Sequence, residues 1–151
     1  MWHTKLGQVD QVKSLLMKGA NPNGEQRELT PLICSAFIGH IEVVKLLLDH
    51  GADPNKATVP GTTPLQVSVS KNQTDVMKLL IRAGADPNKG DNRGNTPLHY
   101  SALSGHKHVV KILLDGGAHP NHANKKGVTP LSLAVFEGKQ NVVELIQNAV
   151  A

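Results

Sequence analysis

Thr96-Pro97-Leu98-His99-Tyr100-Ser101-Ala102-Leu103-Ser104-Gly105 spells one short helix together with both of its ends. Thr96 stands where an N-cap oxygen is wanted, and Pro97 stands at the first helical position, where a missing N–H is no loss. Leu98, Ser101 and Ala102 recur at i, i+3 and i+4 and so share the side predicted to be buried. Gly105 supplies the left-handed residue that closes a helix. Upstream, Asp91-Asn92-Arg93-Gly94 is turn-forming, with Gly94 expected at positive φ. Downstream, a second helix is predicted from about Lys107 to Gly116, burying Val109, Val110, Ile112, Leu113 and Leu114. Gly116-Gly117 closes it, and Ala118-His119-Pro120-Asn121 turns the chain outward.

The same phrase returns along the chain. Thr-Pro-Leu begins at Thr30, Thr63, Thr96 and Thr129, each 33 residues after the last. Gly19-Ala20-Asn21-Pro22-Asn23 runs in step with it and returns as Gly51-Ala52-Asp53-Pro54-Asn55, Gly84-Ala85-Asp86-Pro87-Asn88 and Gly117-Ala118-His119-Pro120-Asn121. Two motifs in fixed phase make the chain a stack of one supersecondary unit, whose hairpins bury their apolar faces only against neighbours. The helix-ending position holds Gly7, Gly39, Asn72, Gly105 and Gly138, and asparagine is the residue next most tolerant of positive φ after glycine.

Composition agrees with thin helical layers. The 151 residues include two Phe, one Trp and one Tyr, so Leu, Val, Ile and Ala must fill the interior. The single Cys34 excludes an internal disulfide framework and suits a reducing compartment. No apolar run approaches membrane-spanning length, and Met1-Trp2-His3-Thr4-Lys5-Leu6 has no secretory apolar region. The expectation is an intracellular protein, cytoplasmic or nuclear. The formal charge of +4 comes from scattered bases, Lys125-Lys126 being the one adjacent Lys/Arg pair. A nucleic-acid surface would gather them into a stripe interleaved with aromatics.

Thr96-Pro97-Leu98-His99 with Ala102, then Gly105-His106, Val109-Val110, Leu113-Leu114 and Gly117-Ala118, resembles an ankyrin repeat, and the resemblance runs over essentially the whole chain. It implies an all-α solenoid of helix–turn–helix units. Short inner helices and β-turn fingers would line a concave groove, with longer outer helices forming the convex back. It also implies protein–protein recognition without reaction chemistry. The expected organisation is a single domain: a partial N-terminal repeat or cap over 1–26, repeats over 27–59, 60–92 and 93–125, and a C-terminal repeat or cap over 126–151. Only His99 keeps the family's histidine. Ile33, Gln66 and Ser132 replace it, which puts its hydrogen bonds in doubt in three repeats. Glu28 stands where Gly61, Gly94 and Gly127 stand, and the first finger is one residue shorter than the others.

At about 100° per residue, the two positions before each helix end turn away from the buried side. They hold Phe37 and Ile38, Ser70 and Lys71, Leu103 and Ser104, and Phe136 and Glu137, so both phenylalanines fall at one phase of the repeat. Aligned exposed apolar groups are what a recognition hot spot needs; packing under the fingers is the alternative. The resemblance places Gln26, Arg27, Leu29, Val59, Thr62, Asn92, Arg93, Asn95, Lys125, Lys126 and Val128 at the groove rim. Arg27, Lys71, Arg93, Lys125 and Lys126 outnumber Glu25, Glu28, Asp91 and Glu137 there. The expected partner of a monomeric chain is thus a protein segment with apolar anchors and some acidic character.

Other signals carry less. Lys13, Lys45, Lys78 and Lys111 share one phase of the outer helices, as an ordinary solvated face does; binding RNA or an anionic surface is the functional counterpart. His106 with His108, and His119 with His122, lack the three or four convergent ligands zinc requires, so no metal or cofactor is expected. Cys34 aligns with Val67, Tyr100 and Leu133 as a small core residue, and Trp2 at the same phase would plug the end of the stack. No phosphate loop, carboxylate pair or Ser-His-Asp arrangement emerges, no catalytic residue is assigned, and the length leaves no room for a catalytic domain. Asn23, Asn55, Asn88 and Asn121 lie eight residues after Leu15, Leu47, Leu80 and Leu113, a setting similar to that in which ankyrin-repeat asparagines are hydroxylated by a dioxygenase. The prolines before them, in place of the usual valine, favour a turn-stabilising role.

Overall fold

The computed structural model describes residues 9–24 and 29–150. Among these, nine helices and no strand occur, and the fold class is the all-α repeat solenoid. The chain divides into two compact units, Met1–Ala85 and Asp86–Ala151. The first contains α1 (Val9–Met17), α2 (Pro31–Ile38), α3 (Ile41–Asp49), α4 (Pro64–Ser70) and α5 (Thr74–Arg82). In it the inner helices α2 and α4 lie side by side, the outer helices run α1, α3, α5, and α2 and α4 pack on α3 and α5. The second contains α6 (Pro97–Ser104), α7 (Lys107–Asp115), α8 (Pro130–Phe136) and α9 (Gln140–Val150), with α6 beside α8, α7 beside α9, and each inner helix on its outer one.

Each inner helix begins as its sequence dictates. Thr30, Thr63, Thr96 and Thr129 hold extended N-cap backbones, with proline next in line. Leu32, Leu65 and Leu98 are buried, and the serines three residues on, Ser35, Ser68 and Ser101, satisfy their hydroxyls on those leucines' carbonyls at 3.0, 2.7 and 3.1 Å. A polar atom therefore sits in a close-packed inner layer without an unmet hydrogen bond. The outer helices bury a stripe of Val43, Val44 and Leu47 in α3, Val76, Met77 and Leu80 in α5, and Val109, Val110 and Leu113 in α7.

Two burial expectations need correction. Ile112 and Leu114 are half-buried, because each lies about 100° to one side of Leu113 and only the centre of the stripe is fully covered. Cys34, Val67, Tyr100 and Leu133 are likewise half-buried rather than core, since they follow the buried leucine by two residues and so lie on its far flank. Trp2 and Gly7 fall outside the described residues.

The helix ends follow the repeat. Gly39, Gly105 and Gly138 have φ of 79°, 75° and 67°, and Asn72 takes the same left-handed turn at 55°. At Gly39 a Cβ would also meet the Gln73 side chain at 2.5 Å. Gly39→Ala is therefore expected to cost about 1–2 kcal/mol, and more than Gly138→Ala, where an added Cβ meets nothing within 4 Å. Denaturant midpoints of the two variants check this.

The finger-loop asparagines act as ties between successive repeats. Asn23 Oδ1 accepts the N–H of Asp53 at 2.7 Å, and Asn55 Nδ2 donates to the Gly84 carbonyl at 3.0 Å. In the second unit Asn88 Nδ2 donates to the Gly117 carbonyl at 3.0 Å and its Oδ1 accepts from the N–H of His119 at 2.7 Å. The stabilisation these side chains provide is therefore to the turn of the following repeat, 29–31 residues further along the chain.

Candidate functional site

The fingers are built from a short polar residue, two tip residues, a glycine and a closing residue. In finger 58–62 the Thr58 N–H donates to the Thr62 carbonyl at 3.0 Å and the Gly61 N–H to the Thr58 carbonyl at 2.8 Å. Finger 91–95 repeats this at 3.0 and 2.8 Å, and finger 124–128 at 2.9 and 2.9 Å. The first side chain pins the turn: Thr58 Oγ1 accepts from the Thr62 N–H, Asp91 Oδ1 from those of Arg93 and Asn95, and Asn124 Oδ1 from those of Lys126 and Val128. Gly61, Gly94 and Gly127 adopt φ of 86°, 78° and 76°, as the turn requires. Sequence reasoning placed Asp91 in a turn but passed over its equivalents Thr58 and Asn124. The signal was present, a Thr, Asp or Asn at the 33-residue spacing three places before each glycine.

The predicted rim residues divide into two groups. Val59, Asn92, Arg93, Lys125 and Lys126 are exposed at the finger tips. Thr62, Asn95 and Val128 are half-buried at the finger bases, where their backbones close the turns. The equivalent Leu29 is 56% exposed. Gln26 and Arg27, with Glu25 and Glu28, lie outside the described residues. On the inner helices Phe37, Ile38, Ser70, Leu103, Ser104 and Phe136 are exposed, as are Lys71 and Glu137 at the ends of α4 and α8. Phe37 is 54% exposed and Phe136 86%, so neither ring packs away beneath a finger.

In the first unit these residues surround a hollow of about 470 Å³. Leu29, Ile33, Phe37, Val59, Pro60 and Val67 line it, together with Thr58 and Thr62. Ile33, Thr58, Pro60 and Val67 were not foreseen as part of it. The Lys71 Nζ lies 4.2 Å from the centroid of the Phe37 ring, a cation–π stack.

In the second unit the fingers 91–95 and 124–128 are tied together. The Lys125 N–H donates to the Arg93 carbonyl at 3.0 Å, and Asn124 Nδ2 donates to Asn95 Oδ1 at 2.8 Å. Three cationic side chains, Arg93, Lys125 and Lys126, thus share one exposed edge. The Asp91 carboxylate is engaged within the finger, taking the two backbone N–H groups and the Tyr100 hydroxyl. Burial, reinforced by that bond to Asp91, pushes the Tyr100 hydroxyl above its ordinary pKa and keeps it a donor.

His99 joins α6 to the finger after it. Its Nδ1 accepts the Thr96 N–H at 3.0 Å, which leaves the proton on Nε2 to be donated to the Val128 carbonyl at 2.9 Å. Burial lowers its pKa; the Val128 bond opposes this, His122 adds to it and Asp91 opposes it. The doubt over the other repeats resolves in part. Gln66 Oε1 accepts the Thr63 N–H at 3.0 Å and Ser132 Oγ the Thr129 N–H at 2.9 Å, so two substitutes keep the capping bond. Ile33 has no atom that can make it.

Lys13, Lys45, Lys78 and Lys111 are all exposed on the outer helices. Among the described residues there is no group of three or more His, Cys, Asp or Glu placed to hold a metal, and no helix is long and apolar enough to cross a membrane.

The family model described as ankyrin repeats (3 copies) matches residues 1–91 and 79–150. Among curated proteins, an ankyrin repeat protein of fowlpox virus (strain NVSL) is 43% identical over 58 residues, which is 38% of this chain and 8% of that protein. The 2-5A-dependent ribonuclease of Mus musculus is 39% identical over 64 residues, 41% of this chain and 9% of the ribonuclease. Cyclin-dependent kinase 4 inhibitor B of Homo sapiens is 45% identical over 51 residues, 34% of this chain and 37% of the inhibitor. The matched segments span less than two fifths of each of these relatives.

Proposed function

The chain belongs to the ankyrin-repeat family, whose repeats generally mediate protein–protein interaction, and from that premise we propose that it is a non-catalytic recognition module, an adaptor, scaffold or inhibitor working inside the cell. Its repeats divide at 27–59, 60–92, 93–125 and 126–151, with a partial repeat before them, and it works as a monomer. The docking face is the one formed in each unit by the inner-helix ends and the fingers, and its occupant is a segment of a partner protein with apolar anchors and some acidic character. A single observation carries this reading: Phe37, Leu103 and Phe136 stand exposed at one phase of the inner helices, with Lys71 stacked on Phe37 in the first unit and Arg93, Lys125 and Lys126 exposed at finger tips of the second. Large apolar side chains held in water beside cations suit a partially acidic apolar ligand.

The exposed outer-helix lysines support a second reading, contact with RNA or an anionic surface. One experiment separates them. Partner capture is compared between wild type, the Phe37→Ala/Leu103→Ala variant and the Lys45→Glu/Lys78→Glu/Lys111→Glu variant, alongside RNA affinity at two salt concentrations. Loss of the protein partner in the first variant alone, with RNA binding weak throughout, is the expected result. Loss only in the lysine variant, with steeply salt-dependent RNA affinity, would move the function to the outer helices.

A further inference from the structure

Ile33 occupies the third position of α2, where α4, α6 and α8 carry Gln66, His99 and Ser132. Those three side chains turn back onto the N–H of Thr63, Thr96 and Thr129. In the second unit His99 also reaches on to the following finger through the Val128 carbonyl. The corresponding carbonyl in the first unit is that of Thr62, in a finger with the same turn bonds. An aliphatic side chain makes neither connection. Instead it presents hydrocarbon to the space between α2 and finger 58–62, and that space is the 470 Å³ hollow. Among the described residues none of those lining it is charged, and a cation, Lys71, stacks on Phe37 at its edge.

Resting on the recognition role stated above, we propose that this hollow is the anchor site for a partner protein's segment. It takes one bulky apolar side chain, leucine, phenylalanine or tryptophan, and Lys71 pairs with a carboxylate flanking that anchor. Ile33 in place of the histidine is what opens the site. Apolar walls lose unfavourable water contact when such a side chain enters. Charge complementarity selects the flank: an Asp or Glu beside the anchor meets the exposed Lys71 ammonium, whereas a Lys or Arg there would face a like charge.

The test uses the full chain and a library of acetylated, amidated dodecapeptides, each with one central Leu, Phe or Trp and randomised flanks. Wild type should enrich sequences with Asp or Glu close to the anchor. The best of these peptides, titrated by fluorescence polarisation, should bind Ile33→His and Phe37→Ala weaker by about tenfold or more. Lys71→Glu should exchange the acidic flank for a basic one. Ile33→His should keep its thermal midpoint, because histidine at this position is accommodated in α6. Phe37 and Lys71 lie on the surface, so their variants decide the matter even if Ile33→His fails to fold. Enriched peptides that bind Ile33→His or Phe37→Ala like wild type but are lost on Lys125→Glu/Lys126→Glu would leave recognition standing and remove the hollow as its anchor. A flank preference unchanged in Lys71→Glu would overturn the carboxylate pairing. Failure of wild type to enrich any sequence would overturn both the anchor site and the docking of a segment.

Discussion

His99→Ala is expected to lower the unfolding free energy by about 3 kcal/mol, measured by denaturant titration at neutral pH. The side chain is buried, and its removal strands the Thr96 N–H at the start of α6 and takes from the Val128 carbonyl one of its two bonds, leaving it the Asn124 N–H at 2.9 Å. Each buried unmet group costs about 1–3 kcal/mol, and the vacated volume adds to the loss. His99→Gln should cost less, because Gln66 shows that a glutamine at this position caps the helix at 3.0 Å. The two variants also differ from wild type in their response to acid. The folded pKa of His99 is held below the ordinary imidazole value, so below about pH 6.5 the unfolded chain binds a proton that the folded chain refuses. The neutral histidine's contribution is thus complete above that pH and drains away as pH falls from there through the folded pKa. Wild type should lose stability over that window by a margin that His99→Gln does not show. Equal acid sensitivity in both would place the titrating group elsewhere.

Phe37→Ala/Leu103→Ala should weaken partner binding by about 2–4 kcal/mol, read as a change in Kd by calorimetry or polarisation. Both side chains are exposed, so their truncation creates no interior cavity and the thermal midpoint should hardly move. Affinity that stays at the wild-type level in the folded double variant would remove the inner-helix ends from the docking face. The same exposure that spares stability is what makes the binding loss large: much of each side chain faces solvent and is open to a partner.

Much of the architecture was legible from local rules. The inner helix at 97–104 was predicted from Thr96-Pro97 and Gly105 alone and matches Pro97–Ser104, because caps and breakers act within one turn of chain. The outward phase of Phe37, Leu103 and Phe136 followed from the 100° advance per residue and needed no tertiary contact. Ile112, Leu114 and Cys34 went the other way. Apolar character marks a side chain as suited to burial, but how far a neighbour covers the flank of a helix depends on how closely the next repeat approaches.

The candidate site divides along the same line. The positions of Phe37 and Lys71 in the repeat could be counted off the chain, yet the stacking of one on the other joins residues from different repeats. The substitution of Ile33 for histidine was visible as a departure from pattern, while the hollow beside it was not, since its walls come from α2, α4 and the fingers between them. Periodicity and capping chemistry, which are properties of neighbouring residues, dictated that this chain is a run of helical hairpins with one face turned outward. The hollow, the ring stacking and the lowered pKa of His99 depend on atoms tens of residues apart meeting within a few ångströms, and packing between repeats decided those.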